Sequence, residues 1–331
     1  MQRFLRRIVL SGLMAFVTPA LAGQPAPIDS AKASFVARQT ALGFSEAQID
    51  NFLLSARYNP KVLDAINQSN EFKPWYQYRS ALLTAARLNA GLEFWHTNEA
   101  TLTRAAETFG VEPQLIVAII GIETHYGKSM GMFPVKDALF TLGFHYKTQA
   151  GFFLKELGEL QQLEKSESIE LANLSGSHTG AMGLGQFMPS SYRYYGVDFD
   201  GDGKRDLLNS VEDTIGSIAN YFHQHGWQSN EAVAIRLMHR TDQSPDNKLW
   251  HGEPLTNTVA EILGKDLGLS DNRDLNAAEP AMLIKLQQEN SDEYWLGLTN
   301  FYVITRYNRS PLYAMAAYEF SNQLKLAYAK P

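Results

Sequence analysis

The chain has 331 residues, of which 45% are hydrophobic and 19% charged, with a formal net charge of −6 and no cysteine. This length allows a large core and about two or three subdomains. The acidic balance argues against nucleic acid and anionic membrane surfaces as partners. Without cysteine the chain forms no disulfide bond and has no thiol to carry a lipid anchor.

The first residues have the pattern of a secretory signal peptide. Arg3, Arg6 and Arg7 precede the apolar stretch Ile8–Ala22, which ends in the small-residue pattern Ala-Leu-Ala. That stretch is short for a membrane span, and no other stretch approaches the roughly 20 apolar residues that a spanning helix needs. We therefore expect a cleaved signal peptide over residues 1–22, a periplasmic protein, and no transmembrane segment in the mature chain.

Residues 23–110 are expected to form an N-terminal helical domain. The stretch Gly23–Ala33 is rich in Pro, Ser and Ala and is expected to be loosely ordered, while helical periodicity begins at Phe35. Ser45 is suited to cap the start of a helix that ends before Pro60.

A catalytic core is expected over residues 111–228. The sequence of its first element, Val111–Lys128, is typical of a buried helix. Pro113 suits the first turn, the following residues are apolar on all sides, and Gly127 is of the type favoured just past a helix end. Burial and the negative end of the helix dipole favour the protonated form of Glu123. Such a carboxyl is suited to general acid catalysis. The alternative is a surface Glu at a fraying helix end.

A second helix, Lys136–Tyr146, follows a loop predicted over Met130–Pro134. It carries Asp137 in its first turn, where the dipole and free N–H groups favour a carboxylate. We favour this structural role for Asp137 over a catalytic one.

The stretch Leu174–Gly196 combines small, polar and aromatic residues. Its glycines let the backbone approach a ligand closely, Ser177 and Gln186 offer hydrogen bonds, and Phe187 offers an apolar surface. A Gly-rich turn has many uses, and this one lacks the spacing of a phosphate loop. The pattern by itself is therefore only suggestive of a binding loop.

An acidic loop follows over residues 198–213. Asp198, Asp200, Asp202 and Gly203 reproduce the start of an EF-hand loop, in which alternate side chains turn toward one Ca²⁺. We expect structural Ca²⁺ here and no organic cofactor. The alternative is an Asp/Gly surface turn.

The end of this loop departs from the EF-hand pattern. Lys204 would contribute its backbone carbonyl, but the twelfth position is Asn209 rather than a bidentate Glu. Glu212 or Asp213 could supply that carboxylate from the start of the next helix, and the sequence leaves the choice open.

No transition-metal site is expected. The next helix is predicted over Asp213–Gln228, and His223 and His225 stand two positions apart on it, so they point in different directions. The remaining His show no zinc spacing.

The C-terminal third changes character. Residues 229–300 predict a small β-containing insertion with a turn-rich stretch at 264–276, and residues 301–331 return to helix with a break at Ser310-Pro311. The strand-like stretches of the insertion are Ala232–His239 and Ala281–Gln287, and Glu293–Leu298 is rich in aromatic residues.

Six stretches carry a specific combination of residues in a fixed order. They are IVAIIGIETHYGK, DALFTLGFHY, GAMGLGQFMPSSY, DFDGDGKRD, DTIGSIANYFHQHGW and LTNFYVITRYN. Together they resemble the membrane-bound lytic transglycosylase B family of murein-degrading enzymes, from about residue 35 to the C-terminus. The resemblance implies a mainly α (α+β) fold: a goose-lysozyme-like core, a helical domain, a small β domain and an EF-hand-like loop.

The resemblance also implies an activity and a set of site residues. The activity is cleavage of the β-1,4 bond between N-acetylmuramic acid and N-acetylglucosamine of peptidoglycan glycan strands, leaving a 1,6-anhydro end. Glu123 falls on the family's single catalytic acid/base. The positions that fall on sugar subsites are Ser177, Gln186, Phe187, Met188, Tyr221, Tyr307, Asn308 and Tyr313. Those that fall on the Ca²⁺ loop are Asp198, Asp200, Asp202 and Asp213.

One position departs from the family pattern. Relatives can carry a basic pair after GFHY that contacts the glycan or its peptide, and this chain has Thr148 and Gln149 there. Subsite preference or peptide recognition is therefore expected to differ. Other cell-wall enzymes are a further class of partner that we considered.

The residues themselves agree with a single-carboxylate mechanism. Hydrolytic glycosidases generally need two carboxylates, and the sequence offers Glu123 without a convincing second. A lytic transglycosylase needs one, because the attacking hydroxyl belongs to the substrate. Two alternatives remain open: a lysozyme-type hydrolase in which Asp137 or Glu93 places a water, and a non-catalytic murein-binding protein stabilised by Ca²⁺.

Overall fold

The computed structural model describes residues 28–68, 73–167, 169–271 and 273–330. The signal peptide predicted over residues 1–22 lies outside the described residues. The described parts form fourteen α-helices and seven short strands, and the mainly helical fold class expected from the sequence is confirmed.

The described residues divide into two compact units. The first contains residues 28–68 and 123–217, and the second contains residues 73–122 and 218–330. The domain boundaries expected from the sequence stay predictions.

The first unit is built from helices and one two-stranded sheet. Its helices are α1 (Ile28–Ala41), α2 (Glu46–Leu54), α3 (Pro60–Gln68), α8 (Val135–His145), α9 (Ala150–Ser166) and α10 (Pro189–Tyr195). Its strands are β1 (Phe133–Pro134) and β2 (Ser175–Gly176), which pair antiparallel. Both strands lie in stretches without strand periodicity, because two residues are too few to show it.

Helix α1 begins at Ile28, inside the stretch expected to be loosely ordered, so that expectation is wrong from Ile28 onward. The reason is tertiary: Gln39 on α1 is fully buried, and its Nε2 donates to Gly158 O at 3.0 Å and to Gln161 Oε1 at 2.8 Å on α9. A buried amide with these partners holds α1 on the unit.

The start of α2 follows the sequence prediction. Ser45 Oγ accepts the Gln48 N–H, and Gln48 Oε1 accepts the Ser45 N–H, which makes a complete capping box. The chain after α2 is fixed to α8, because Asp137 Oδ1 accepts the Arg57 N–H at 2.9 Å. Asp137 thus has a structural role, but its observed partner is the Arg57 N–H, whereas the expected partners were the free N–H groups of its own helix.

The second unit contains most of the remaining helices. They are α4 (Trp75–Leu82), α5 (Ala85–Thr97), α6 (Glu99–Phe109), α12 (Val259–Leu263), α13 (Thr299–Tyr307) and α14 (Pro311–Tyr328). Two more, α7 (Pro113–Thr124) and α11 (Val211–Gln224), contain the unit boundaries. Helix α11 ends four residues before the predicted Gln228, at the left-handed Gly226 turn.

A five-stranded antiparallel sheet lies in the second unit. Its strands are β3 (Ala234–His239), β4 (Asn257–Thr258), β5 (Leu267–Leu269), β6 (Pro280–Gln287) and β7 (Asp292–Gly297), in the order β4-β6-β7-β3-β5. Leu296 pairs with Ile235 on one side and Leu283 on the other, so these three share the face that packs with Ile262 of α12.

Strands β3 and β6 of this sheet were predicted, β7 lies in the stretch described only as rich in aromatic residues, and β5 was placed in a turn-rich stretch. Strand β5 lies inside residues 264–276, where Leu267 and Leu269 pair with β3. Only three residues long, it has no alternation to distinguish it from a turn.

No single helix in the described part of the chain is long and apolar enough to cross a membrane. Only α6 and α7 taken together, bent by 115° where they meet, reach that length and apolarity.

Candidate active site

Glu123 lies in the last turn of α7 and is 5% exposed. The preceding residues Leu115–Ile120 are between 0% and 2% exposed, because the sequence there is apolar on every side of the helix. The structure therefore gives Glu123 the buried position that we expected, and the surface alternative is wrong.

The helix stops sooner than its sequence suggests. It ends at Thr124, three residues before Gly127, so the prediction that Gly127 follows the helix directly is wrong. His125 and Tyr126 already have φ of 51° and 58°, a conformation that costs a non-glycine residue roughly 1–2 kcal/mol. Backbone strain of this kind concentrates at functional sites.

Thr124 connects this helix end to the Gly-rich loop. Its hydroxyl donates to Leu184 O at 2.9 Å and accepts the Gly127 N–H at 3.1 Å. Thr124 is 1% exposed, so both bonds are formed away from water. The residue after Glu123 thus fixes the helix end to the loop that carries the predicted sugar contacts.

Ser177 organises the first part of the loop. Its Oγ accepts the N–H groups of Thr179 and Ala181 and lies 2.9 Å from Thr179 Oγ1. A β-carbon on Gly176 would lie 2.2 Å from Ala181 O, so only glycine allows this close turn. Ser177 is 1% exposed, and its observed role is to shape the loop.

Gln186 lies at the far end of the loop with φ of 51°. Its Nε2 donates to Gly183 O at 2.9 Å and to Met130 O at 3.2 Å. Its Oε1 is buried without a partner among the described residues, and a buried acceptor of this kind calls for an explanation. A ligand amide or hydroxyl would satisfy it.

Phe187 and Met188 continue the loop into α10. Phe187 is 3% exposed and exchanges both backbone hydrogen bonds with Met182 at 3.0 Å. Met188 is partly exposed and holds the N-cap position of α10. Of these two predicted contacts, Met188 presents the more accessible surface.

Two carboxylates of α9 hold α10 in place. Glu156, 1% exposed, accepts the Ser190 N–H at 2.9 Å and the Ser190 hydroxyl at 2.7 Å. Burial raises the pKa of Glu156, while the two bonds to Ser190 lower it. Glu159 forms an ion pair with Arg193. The helix that follows the Gly-rich loop is therefore held by two side chains of α9.

One oxygen from each of Asp198, Asp200 and Asp202 lies within 4.8 Å of the others, and all three residues are exposed. Asp198 accepts the N–H groups of Gly201 and Gly203 at 2.8 and 2.9 Å, which folds the loop around the three carboxylates. An all-oxygen donor set on such a loop fits a hard cation such as Ca²⁺.

Asp213 lies outside this group of three and is fully buried. Its oxygens accept the N–H groups of Phe199, Asp200 and Asp206 at 2.6, 3.2 and 2.7 Å. Asn209 donates its side-chain amide to Asp206. The observed role of Asp213 is to close the loop from inside, which its sequence position alone does not indicate.

Tyr192 joins α10 to the end of the acidic loop. Its hydroxyl donates to Arg205 O at 2.5 Å and accepts the Leu207 N–H at 3.1 Å. The Gly-rich loop, α10 and the acidic loop thus form one connected structure in the first unit, because α10 follows the Gly-rich loop and is bonded to the acidic loop.

The other predicted sugar contacts lie in the second unit. Tyr221 donates its hydroxyl to Arg306 O at 2.6 Å, and its ring centroid lies 4.9 Å from that of Tyr307. Asn308 is 4% exposed, and its Oδ1 accepts the Ser310 N–H. These residues form a connected group at the end of α13.

Tyr313 is fully buried in α14. Its backbone N–H donates to Ser310 Oγ, the cap of that helix. In this structure Tyr313 therefore presents no surface to a ligand.

Sequence reasoning missed several residues that shape the site. Thr124 and the carbonyl of Met130 hold the helix end and Gln186, but neither residue type signals a site. His178, beside Ser177, is 7% exposed, and burial lowers its pKa to about 4. The positive φ values of His125, Tyr126 and Gln186 belong to residue types that rarely adopt them.

Comparisons with known proteins identify the family to which the chain belongs. The family model described as the transglycosylase SLT domain matches residues 28–322, and the chain belongs to this family. Membrane-bound lytic murein transglycosylase B of Escherichia coli (strain K12) is 38% identical over 295 residues, which cover 86% of this chain and 80% of the relative.

Two solved structures show the same fold. The soluble lytic transglycosylase SltB1 from Pseudomonas aeruginosa is 38% identical, with a TM-score of 0.82, and the match covers 90% of this chain and 99% of SltB1. The lytic transglycosylase Slt35 of Escherichia coli, solved in complex with calcium, is 35% identical, with a TM-score of 0.79, over 95% of this chain and 100% of Slt35.

Proposed function

We propose that this enzyme is a lytic murein transglycosylase that cleaves the β-1,4 bond between N-acetylmuramic acid and N-acetylglucosamine and leaves 1,6-anhydro ends. Membership of the transglycosylase family and the 38% identical murein transglycosylase support the activity on peptidoglycan. The anhydro product and the use of one glutamate are implied by the family resemblance, and the lack of a convincing second carboxylate in the sequence supports them.

In the proposed mechanism Glu123 acts twice. Its protonated carboxyl first gives a proton to the glycosidic oxygen, and the bond from that oxygen to C1 of N-acetylmuramic acid breaks. The substrate's 2-acetamido group stabilises the cation that develops at C1. The Glu123 carboxylate then takes the proton of the C6 hydroxyl as that oxygen attacks C1. Holding the nucleophile within the substrate replaces an activated water.

The observation that carries this proposal is how the buried carboxyl groups are placed. Four are buried among the described residues, and three of these, Glu156, Glu159 and Asp213, hold α10 or the acidic loop. Glu123 lies instead at the strained helix end beside the Gly-rich loop. The other three buried carboxyl groups of the described chain are therefore engaged in structural bonds.

The first test is a pair of variants that change one carboxyl group each. Glu123→Gln keeps the shape of the side chain and removes the transferable proton, so we expect murein lysis to fall by about 10²–10⁴. Asp137→Asn, the matched control, removes the carboxylate that a hydrolase would use and should leave lysis unchanged. Undiminished lysis by Glu123→Gln would remove our assigned catalyst, and loss of lysis in Asp137→Asn would favour the hydrolase.

Product analysis separates the two enzyme classes directly. Mass spectrometry of digested murein distinguishes 1,6-anhydro ends from reducing ends, which contain one more water. We expect anhydro ends to predominate. Reducing ends alone would identify a lysozyme-type muramidase, and no cleavage by a folded protein would identify a non-catalytic murein-binding protein.

We further propose that the acidic loop binds structural Ca²⁺ through Asp198, Asp200 and Asp202, with the Lys204 carbonyl and Asp213 as the remaining candidates. The fit of the three carboxylates and the Slt35 structure in complex with calcium support this. A bound cation would offset the mutual repulsion of the carboxylates. The expected location is the periplasm, where murein lies.

The substrate contacts proposed for this function fall in both units. In the first unit they are Ser177, Gln186, Phe187 and Met188, and in the second they are Tyr221, Tyr307 and Asn308; the fully buried Tyr313 is left out. Gln186 has the strongest structural support, because its buried Oε1 has no partner among the described residues.

A further inference from the structure

Arg306 is a half-buried cation near the end of α13. Its guanidinium carbon lies 4.0 Å from the ring centroid of Tyr302, and Nη2 donates to Thr305 Oγ1 at 2.8 Å. Both neighbours are uncharged. The site therefore fixes the orientation of the guanidinium without neutralising it.

No carboxylate within the described residues lies at ion-pair distance from Arg306, whereas other arginines of the chain are paired with Glu or Asp. The Nε of Arg306 is buried and has no hydrogen-bond acceptor among the described residues. Burial lowers the pKa of Arg306, and the charge of Arg309 lowers it further. Partial desolvation of a cation that has no anionic partner costs free energy. An anionic ligand would reduce this cost.

The position of Arg306 relates it to the proposed glycan contacts. Its carbonyl accepts the Tyr221 hydroxyl at 2.6 Å, and Tyr307 is the next residue in the chain. Tyr221 also stacks on His225 at 4.1 Å between ring centroids. The cation thus stands among aromatic residues in the second unit, on a chain whose net charge is −6.

We propose that Arg306 binds a carboxylate of the substrate and makes the enzyme selective for muramic acid-containing glycan. This inference rests on the proposed function. A planar guanidinium suits bidentate bonds to a carboxylate, and N-acetylglucosamine has none. In murein the carboxylate has two possible sources: the lactyl group of a peptide-free muramic acid, or the stem peptide when the lactyl group is amidated.

The test measures binding to the Glu123→Gln protein, which keeps the ligands intact. Three oligosaccharides of equal length are compared by calorimetry: a peptide-bearing murein fragment, the same fragment after amidase treatment, and a chito-oligosaccharide. Adding Arg306→Gln should weaken binding of one or both murein fragments about tenfold or more and leave the chito-oligosaccharide unchanged. The fragment that is affected identifies the stem peptide or the lactyl group as the source.

Two further variants serve as controls. Arg306→Lys keeps the charge but loses the planar fork, so it should recover part of the affinity. Arg309→Gln makes the same charge change at an exposed neighbour and should weaken none of the ligands comparably. Equal weakening of all three ligands by Arg306→Gln, or an equal effect of Arg309→Gln, would overturn the assignment.

The same experiment distinguishes failure of the Arg306 proposal from failure of the proposed function. If the Glu123→Gln parent bound none of the three ligands, the proposed function itself would fail. If the parent bound murein fragments and Arg306→Gln bound them equally well, only the role of Arg306 would be lost.

Discussion

At the scale of single residues, the site contains two carboxyl groups, Glu123 and Glu156, that are similarly buried but differ in their surroundings. Glu123 and Glu156 are 5% and 1% exposed. Glu156 accepts two hydrogen bonds from one serine that starts a helix, whereas Glu123 ends a helix whose backbone then turns left-handed. Glu156 is therefore a structural carboxylate because of its bonds to Ser190, and Glu123 is a catalytic candidate because of its place beside a left-handed helix end.

His178 gives a prediction at this scale. Burial lowers its pKa from 6.5 to about 4, so between these values the unfolded chain binds a proton that the folded chain does not. The contribution of His178 to the free energy of unfolding is fully present above about pH 6.5 and is lost as the pH falls toward 4. The expected loss by pH 4 is about 3 kcal/mol.

Denaturant unfolding of the wild type and His178→Gln from pH 7 to pH 4 checks this. The wild type should lose more stability over that range, and the difference between the two proteins isolates His178 from the carboxyl groups that titrate nearby. His251→Gln, at an exposed position, is the control and should follow the wild type. Parallel curves for wild type and His178→Gln would contradict the prediction.

At the scale of elements, α10 is where the parts of the first unit meet. The Gly-rich loop leads into its N-terminus, Glu156 and Glu159 bind it from α9, and Tyr192 connects it to the acidic loop. A seven-residue helix has little stability of its own. Its position therefore depends on these side chains.

Removing the Glu156 side chain should show this dependence. Glu156→Ala leaves the Ser190 N–H and hydroxyl without their buried acceptor, and we expect a loss of about 2–4 kcal/mol of unfolding free energy. Glu156→Gln retains one acceptor and should lose less. Glu164→Ala, an exposed Glu on the same helix, should change little. A Glu156→Ala protein with an unchanged denaturation midpoint would show that α10 is held by other contacts.

The elements also show which predictions a sequence can support. Long periodic segments such as β6 and α8 were predicted within a few residues, and so was the helix start capped by Ser45. The two-residue strands and β5 were missed because they are too short to show a period. The start of helix α1 was missed because a buried amide, Gln39, anchors the helix by contacts more than 100 positions away in sequence.

The candidate site divides in the same way. Glu123 and the three Asp of the acidic loop could be singled out as candidates because their residue types and spacing are typical of acid catalysis and of cation binding. Arg306 and His178 could not be singled out from the sequence. The missing carboxylate partner of Arg306 and the burial of His178 depend on residues that are distant in sequence. Asp213 was assigned to the metal loop from its position, and only the fold shows that it bonds three backbone N–H groups.

At the scale of the whole molecule, we expect bound Ca²⁺ to increase the free energy of unfolding. A ligand that binds only the folded state stabilises it by about 2.7 kcal/mol at 100 times its Kd. We expect EDTA to lower the melting temperature of the wild type and Ca²⁺ to restore it.

Variants of the acidic loop make this test specific. Asp200→Asn should remove most of the Ca²⁺-dependent shift, while Asp64→Asn, an exposed Asp on α3, should retain it. A wild-type melting curve that EDTA leaves unchanged would argue against a structural cation.

The sheet of the second unit has a consequence for how the protein behaves at high concentration. Its outer strands, β4 and β5, are two and three residues long. Beyond β5, Arg236 O accepts the Ser270 N–H and Ala234 O accepts the Tyr318 hydroxyl. Exposed strand edges recruit strands of other chains and start aggregation. This sheet offers few backbone groups for such pairing, so its edges resist self-association.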